Sequence, residues 1–182
     1  MGIVHRGIPH RLAISISESV GAEWFIETGT HMGESAKFAR QWFKKVLTIE
    51  SVKHYHDKAI KRLAPLGIEC YLGDSPEVLA RLVPQIFNIG LFWLDAHWSP
   101  DLNAPRPNVI CPVLEEIKII NLSTFNHAIM VDDARLFGYT LGWPNKATVM
   151  EALADDGRRM VYEEDDVVCA IPTGRSVGVE EI

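Results

Sequence analysis

The chain has 182 residues, 47% of them hydrophobic, including five Trp, and a formal net charge of −6. That is enough apolar material for one domain with a real core and far from the composition of a disordered chain. The acidic balance argues against nucleic acid or an anionic membrane as an obligatory partner, since either favours a basic stripe.

Residues 1–22 form an N-terminal segment, helical in part, and 23–182 read as one domain. Residues 1–21 are too polar and broken for a secretory signal, and no apolar run reaches membrane-spanning length. The first strand is Trp24–Glu27, followed by Thr28-Gly29-Thr30-His31-Met32-Gly33 and a helix from Glu34 to Lys44. Strand, glycine turn and helix present backbone N–H groups to a ligand at the carboxyl edge of an open α/β sheet. An acid at Glu27 turns that reading away from phosphate and toward a cationic or hydroxyl-bearing ligand.

Val46–Glu50 is the second strand. The helix after it carries Val52, Tyr55, Ala59, Ile60 and Leu63 on one face and closes at Pro65 and Gly67. Its basic residues Lys53, Lys58, Lys61 and Arg62 read as a solvated face. Ile68–Leu72 is the third strand; Ser75 and Pro76 then read as N-cap and first residue of a helix bearing Val78, Leu79, Leu82 and Val83. Ile89–Asp95 is the most continuously apolar strand and therefore central. Period is lost over His97–Pro112, which holds four prolines and reads as a long functional loop. A helix over Val113–Leu122, a strand over Ala128–Asp132, an irregular stretch over Ala134–Asn145 and a helix over Ala147–Ala154 follow. Arg158–Glu163 and Val167–Pro172 read as an antiparallel hairpin, with Glu163–Asp166 as a charged turn and nothing more. Cys70, Cys111 and Cys169 are odd in number and lie in apolar stretches, which predicts free thiols in a reducing cytoplasm.

The alternation predicts an α/β fold with a mostly parallel sheet, helices on both faces and a C-terminal antiparallel hairpin. The strand ends then bring Glu27, Glu50, Gly73-Asp74-Ser75, Asp95 and Asp132-Asp133 to one edge. Carboxylates sharing a crevice repel one another unless bound hydroxyls or a divalent cation compensate them. Each has a plainer alternative as a helix cap.

Glu27-x-Gly29-x-x-x-Gly33, Glu50, Gly73-Asp74-Ser75 and the terminal hairpin, in this order, resemble the class I S-adenosylmethionine-dependent methyltransferases. The resemblance runs from about Glu23 to the C-terminus and implies a Rossmann-like seven-stranded sheet with one reversed strand. It implies that Glu27, Thr28, Gly29, His31, Gly33 and Ser35 bind the methionine part of S-adenosylmethionine. Glu50 would bind the ribose hydroxyls, Gly73, Asp74 and Ser75 would contact adenine, and Ser51 and Asp95 would also belong to the cofactor site. His31 is equally readable as a turn residue, and Ser35 as a helix-start residue.

A narrower resemblance concerns Phe92-Trp93-Leu94-Asp95-Ala96-His97-Trp98 and Met130-Val131-Asp132-Asp133. They are similar to the ligand positions of metal-dependent O-methyltransferases of the catechol and macrocin types. It implies Mg²⁺ held by Asp95, Asp132 and Asp133, and a small hydroxylated substrate, a sugar or a phenol, activated on the metal. The lysine that follows the strand-four Asp in the catechol type is missing. His97 takes its place as base, stands as a fourth ligand, or is a plain loop histidine; the sequence leaves all three open, with Asp95 as the other catalytic candidate. Arg135 either recognises an acidic substrate group or pairs with an aspartate of the Asp132-Asp133 doublet, which would lower the metal count. Trp93 reads as core, and Trp98 and Trp143 as loop residues. The lid is expected from Trp98–Pro112, from Arg135–Trp143 or from the partner in a homodimer. A metal-independent methyltransferase and a non-catalytic cofactor-binding module are the alternatives. The glycine spacing is looser than in nucleotide-binding oxidoreductases.

Overall fold

The computed structural model describes residues 7–98 and 107–174, and the middle of the Pro-rich loop, 99–106, therefore lies outside the described residues. Seven strands form one sheet: β1 (Trp24–Thr28), β2 (Lys45–Glu50), β3 (Glu69–Leu72), β4 (Gly90–Leu94), β5 (Ala128–Val131), β6 (Arg159–Glu164) and β7 (Val167–Pro172). Their order is β3-β2-β1-β4-β5-β7-β6. All pairings are parallel up to β5; β7 runs antiparallel to both β5 and β6. β4 is the middle strand, as its unbroken hydrophobicity predicts.

The period-two alternation of each strand sorts its side chains into two cores. Phe25, Leu91, Trp93, Ala128 and Met130 face one side, where α1 (His10–Val20), α2 (Glu34–Ala39) and α3 (Lys53–Leu63) pack through Ala13, Ile16, Ala36, Ala39, Ala59 and Leu63. Ile26, Phe92, Leu94, Ile129 and Val131 face the other side. There α4 (Ser75–Leu82), α5 (Val113–Asn121) and α6 (Lys146–Ala154) bring Val78, Leu79, Ile117, Ile120, Val149 and Leu153. The N-terminal helix α1 is thus part of the same core as α2 and α3. No helix among the described residues is long and apolar enough to cross a membrane.

Three sequence expectations shift. The helix after the glycine turn stops at Ala39 rather than Lys44. Two further turns bend the chain so that Phe43 packs on Phe25 and Arg40 donates to the Leu66 carbonyl at 2.8 Å. In α4, Asp74 occupies the N-cap position and Ser75 is the first helical residue, with no side-chain cap bond. The acidic turn is also more than a turn: Asp166 is 9% exposed and tied into the site described below.

At the amino edge of the sheet, opposite that site, Arg159 is buried. It donates from Nε to the His127 carbonyl at 2.8 Å and from Nη1 to Asn121 Oδ1 at 2.8 Å and to the Leu153 carbonyl at 3.2 Å. His127 Nδ1 accepts the Gly90 N–H at 3.0 Å, and burial drives its pKa down to about 3, so it is neutral. Removing the guanidinium strands these acceptors. Arg159→Ala is expected to cost about 3 kcal/mol of stability, measured by urea unfolding, without touching the opposite edge.

Candidate functional site

The glycine turn meets the end of β4 at very close range. Gly29 has φ +83°, and a Cβ built there would lie 2.3 Å from the Asp95 carbonyl oxygen, so the loop rests directly on β4 backbone. His31 also takes a left-handed conformation, φ +46°, and its backbone N–H donates to Glu50 Oε2 at 2.7 Å. Val52 N–H donates to Glu50 Oε1 at 2.8 Å, so two amides aim this carboxylate from the tip of β2. The His31 ring packs edge-on against Tyr55 of α3, centroids 4.7 Å apart.

A crevice of about 610 Å³ opens at this edge, within the range of small-molecule sites. Its wall includes the predicted Gly29, His31, Glu50, Ser51, Gly73, Asp74, Ser75, Asp95 and His97. Trp98, Pro107, Val109, Ile110 and Pro112 add an apolar side, from the described ends of the Pro-rich loop. Trp98 N–H donates to the Ile110 carbonyl at 2.8 Å, and Ile110 lies against Gly142 of the 134–145 stretch.

Other predicted residues lie behind this wall. Glu27 is 2% exposed; Thr48 Oγ1 donates to its Oε2 at 2.6 Å, and Thr30 and Thr48 hydroxyls are 2.5 Å apart. Burial pushes the Glu27 carboxyl up to about 8, against the hydrogen bonds from Thr48 and Ser35, so it holds its proton at neutral pH. Ser35 Oγ accepts the Ile8 N–H at 3.1 Å, which pins the N-terminal segment rather than facing the crevice. Thr28 is fully buried. Gly33 leads α2, and a Cβ there would meet Leu63 at 2.7 Å, so its role here is close helix packing. Arg62, read as solvated, holds the turn through the Met32 carbonyl and Glu34 Oε1.

The acids at the ends of β4 and β5 do come together. Burial, then the charge of Asp132, holds Asp95 well above the ordinary carboxylate range. Burial, then Asp133, raises Asp132 to about 7. His97 lies between them, Nδ1 3.4 Å from Asp95 Oδ1 and Nε2 3.2 Å from Asp133 Oδ2, with its ring against Trp143. Burial lowers its pKa, with the Asp133 charge opposing, which favours the neutral imidazole.

Arg135 resolves its two readings in favour of the ion pair. Its Nη1 is 2.5 Å from Asp133 Oδ1 and also reaches Asp166 Oδ2, while its N–H donates to Asp166 Oδ1 at 2.8 Å. The hard carboxylate oxygens suit a divalent cation in chemistry. Their arrangement suits it only in part, because Arg135 and His97 already engage both Asp133 oxygens. Among the described residues no three His, Cys, Asp or Glu side chains form a metal-holding group. Asp95 and Asp132 form no ion pair with a lysine or arginine among the described residues, and the Arg135 charge eases Asp132 only as the smallest of its influences. The three cysteines are free, and burial raises the Cys111 and Cys169 thiols to about 12, which leaves them inert.

Two buried acids beside this crevice escape sequence reasoning. Asp166 lies in a charged run that resembles any exposed turn. Glu116 sits on α5, 1% exposed, at the apolar spacing of Val113, Ile117 and Ile120. An acid on an apolar stripe is the signal that would have found it.

No family model and no curated protein matches the chain. Solved structures do. An O-methyltransferase from Bacillus cereus in complex with S-adenosylhomocysteine superposes with a TM-score of 0.63 at 14% identity, over 89% of this chain and 80% of that one. The S-adenosylhomocysteine-bound methyltransferase PaMTH1 of Podospora anserina gives 0.61 at 16%, over 90% and 77%. TomG, an O-methyltransferase from Streptomyces achromogenes involved in tomaymycin synthesis and bound to S-adenosylmethionine, gives 0.58 at 20%, over 91% and 79%. At such identities the likeness establishes the fold alone: this chain shares the seven-stranded, mostly parallel α/β architecture of these proteins.

The buried neutral Glu27 has a consequence for stability. Its folded pKa, about 8, exceeds the ordinary 4.5, so its favourable contribution is complete below about 4.5 and is lost as pH rises toward 8. Glu116 and Asp132, both near 7, act in the same direction. Glu27→Gln is therefore expected to flatten, without abolishing, the decline in unfolding free energy between pH 5 and 8, followed by urea titration.

Proposed function

We propose that the protein binds S-adenosylmethionine in the 610 Å³ crevice and transfers its methyl group to an oxygen of a small hydroxylated substrate. The observation that carries this reading is Glu50: a carboxylate at the tip of β2, aimed by two backbone amides into the crevice. Such a group accepts hydrogen bonds from a vicinal diol such as a ribose. Gly29 and His31 would line the methionine end, and Gly73, Asp74 and Ser75 the adenine side, where Val109, Ile110 and Pro112 supply an apolar wall. Asp95 and His97, on the same crevice wall, would then face the sulfonium methyl. Neutral His97 would take the proton of the acceptor hydroxyl as its oxygen bonds to the methyl carbon and the methyl–sulfur bond breaks to release S-adenosylhomocysteine, and Asp133 would steady the resulting imidazolium.

In the metal-assisted form of this reading, Asp95 and Asp132 hold Mg²⁺, and Asp133 joins them only by leaving Arg135. When bound, the ion lowers the pKa of the acceptor hydroxyl. The pairing of Arg135 with Asp133 favours a second reading, in which transfer needs no metal and His97 alone removes the proton.

The test is calorimetric titration with S-adenosylhomocysteine, with Mg²⁺ and then with a chelator, followed by methyl transfer to sugar and phenol panels. Micromolar binding with chelator-sensitive turnover supports the metal-assisted form, and chelator-resistant turnover the metal-free one. Absence of binding in both conditions overturns the cofactor reading. Glu50→Ala is expected to weaken binding by about 1.5–3 kcal/mol, the worth of hydrogen bonds to a charged group. Gly29→Ala is expected to remove detectable binding while circular dichroism stays native, because the methyl group would displace the loop from β4 backbone.

A further inference from the structure

Both oxygens of Asp133 are engaged. Arg135 Nη1 lies 2.5 Å from Oδ1, and His97 Nε2 lies 3.2 Å from Oδ2. Its neighbour Asp132 gives one oxygen to the chain itself, since Oδ1 accepts the Asp133 N–H at 2.7 Å. A divalent cation on hard oxygens needs carboxylate lone pairs aimed at one point. On Asp133 a guanidinium and an imidazole already take them. An exposed arginine pair is held weakly, because ordering two long side chains in water gains little. Arg135 is instead clamped at both ends. Its backbone N–H donates to Asp166 Oδ1 at 2.8 Å, its Nη1 reaches Asp166 Oδ2, and the Asp166 carbonyl accepts the Ala134 N–H at 2.8 Å. The Asp166 side chain is 7% exposed and that of Asp133 13%. One nitrogen thus bridges two nearly buried carboxylates, one after β5 and one in the turn between β6 and β7. Salt screens a partly buried pair of this kind far less than a surface one.

We infer that Arg135 is a resident cation that competes with a divalent ion for Asp133, and that Asp166 holds it in place. The pairing thereby sets how tightly the acids at the ends of β4 and β5 take a metal. An ion that recruits Asp133 must displace the guanidinium from Oδ1 and leave Asp166 with less compensation. It must then sit beside a positive charge tethered two residues away. The inference goes beyond the cofactor reading, because it concerns the acids alone and is tested without cofactor.

Mn²⁺ is the probe, because its preference for hard oxygens resembles that of Mg²⁺ and its solution electron paramagnetic resonance signal is lost on binding. It is titrated into the full chain, wild type and Arg135→Gln. Glutamine removes the charge, and the variant is expected to bind Mn²⁺ on the order of tenfold more tightly than wild type. Structural damage loses affinity and does not create it, so a gain separates competition from misfolding. A single nitrogen makes both carboxylate contacts, so a point charge can replace it. Arg135→Lys is therefore expected to return to within about threefold of wild type. Asp132→Asn added to Arg135→Gln is expected to cancel the gain, which locates the ion at these acids. Where Arg135→Gln alone does not fold because Asp166 is stranded, Arg135→Gln with Asp166→Asn removes both charges and is also expected to bind more tightly than wild type. Equal affinity in wild type and the glutamine variants, a gain that survives Asp132→Asn, or the same gain in Arg135→Lys would each overturn the inference. S-adenosylhomocysteine is titrated separately, and its failure to bind removes the cofactor reading while the Mn²⁺ result stands.

Discussion

The structure is organised around one electrostatic problem. Glu27, Asp95, Glu116, Asp132 and Asp133 are drawn behind a single edge of the sheet, and Arg135 is the guanidinium that meets them. Burial and mutual repulsion leave most of them short of full ionisation at neutral pH, and each is handled differently. Glu27 keeps its proton and is held by Thr48. Asp133 is paired. Asp95 is strained by burial and Asp132, and Asp132 by burial and Asp133. A core of this composition is a poor way to gain stability, because buried carboxyls cost more than apolar side chains of the same volume. Its presence at the edge where open α/β sheets bind ligands is what supports the proposal that this edge is a site rather than a rim.

Strand and helix placement was legible because it rests on local periodicity. Alternating side-chain direction in β1, β4 and β5, strands buried on both faces, sends Phe25, Trp93 and Met130 to one core and Ile26, Phe92 and Val131 to the other, and their unbroken apolar runs carry that directly. The shortened α2 was not legible, because it is set at a distance: Phe43 leaves the helix to meet Phe25, and Arg40 finds a carbonyl beyond α3. Ser75 was misassigned for a smaller reason. The sequence offers two adjacent capping residues, and backbone conformation, not residue preference, decides that Asp74 takes the N-cap position.

For the site, the residues carried by backbone geometry were the readable ones. Gly29, Glu50, Gly73 and Asp95 lie at strand ends, and strand ends in a parallel sheet converge whatever the side chains do. Glu27, Ser35 and Gly33 sit in the same motif yet lie behind the crevice wall, because their partners are Thr48, Ile8 and Leu63, none of which a linear motif specifies. Asp166 was unreadable for the converse reason: nothing in an acidic turn announces that it will fold back under β5.

That return makes the C-terminal hairpin more than the closure of a sheet edge. The Asp166 carbonyl accepts the Ala134 N–H at 2.8 Å, and its carboxylate takes both the backbone and the guanidinium of Arg135. The left-handed Asp133, φ +57°, turns the chain so that Arg135 can reach forward to Asp133 and sideways to Asp166 together. Orientation of the cation facing the acids is therefore set by β6 and β7, which contribute no residue to the crevice wall. One reversed strand, β7, entered from β6 through a tight turn, places that turn at the same edge as the carboxyl ends of the parallel strands. This is the topological reason that a hairpin residue is available to hold Arg135 in place.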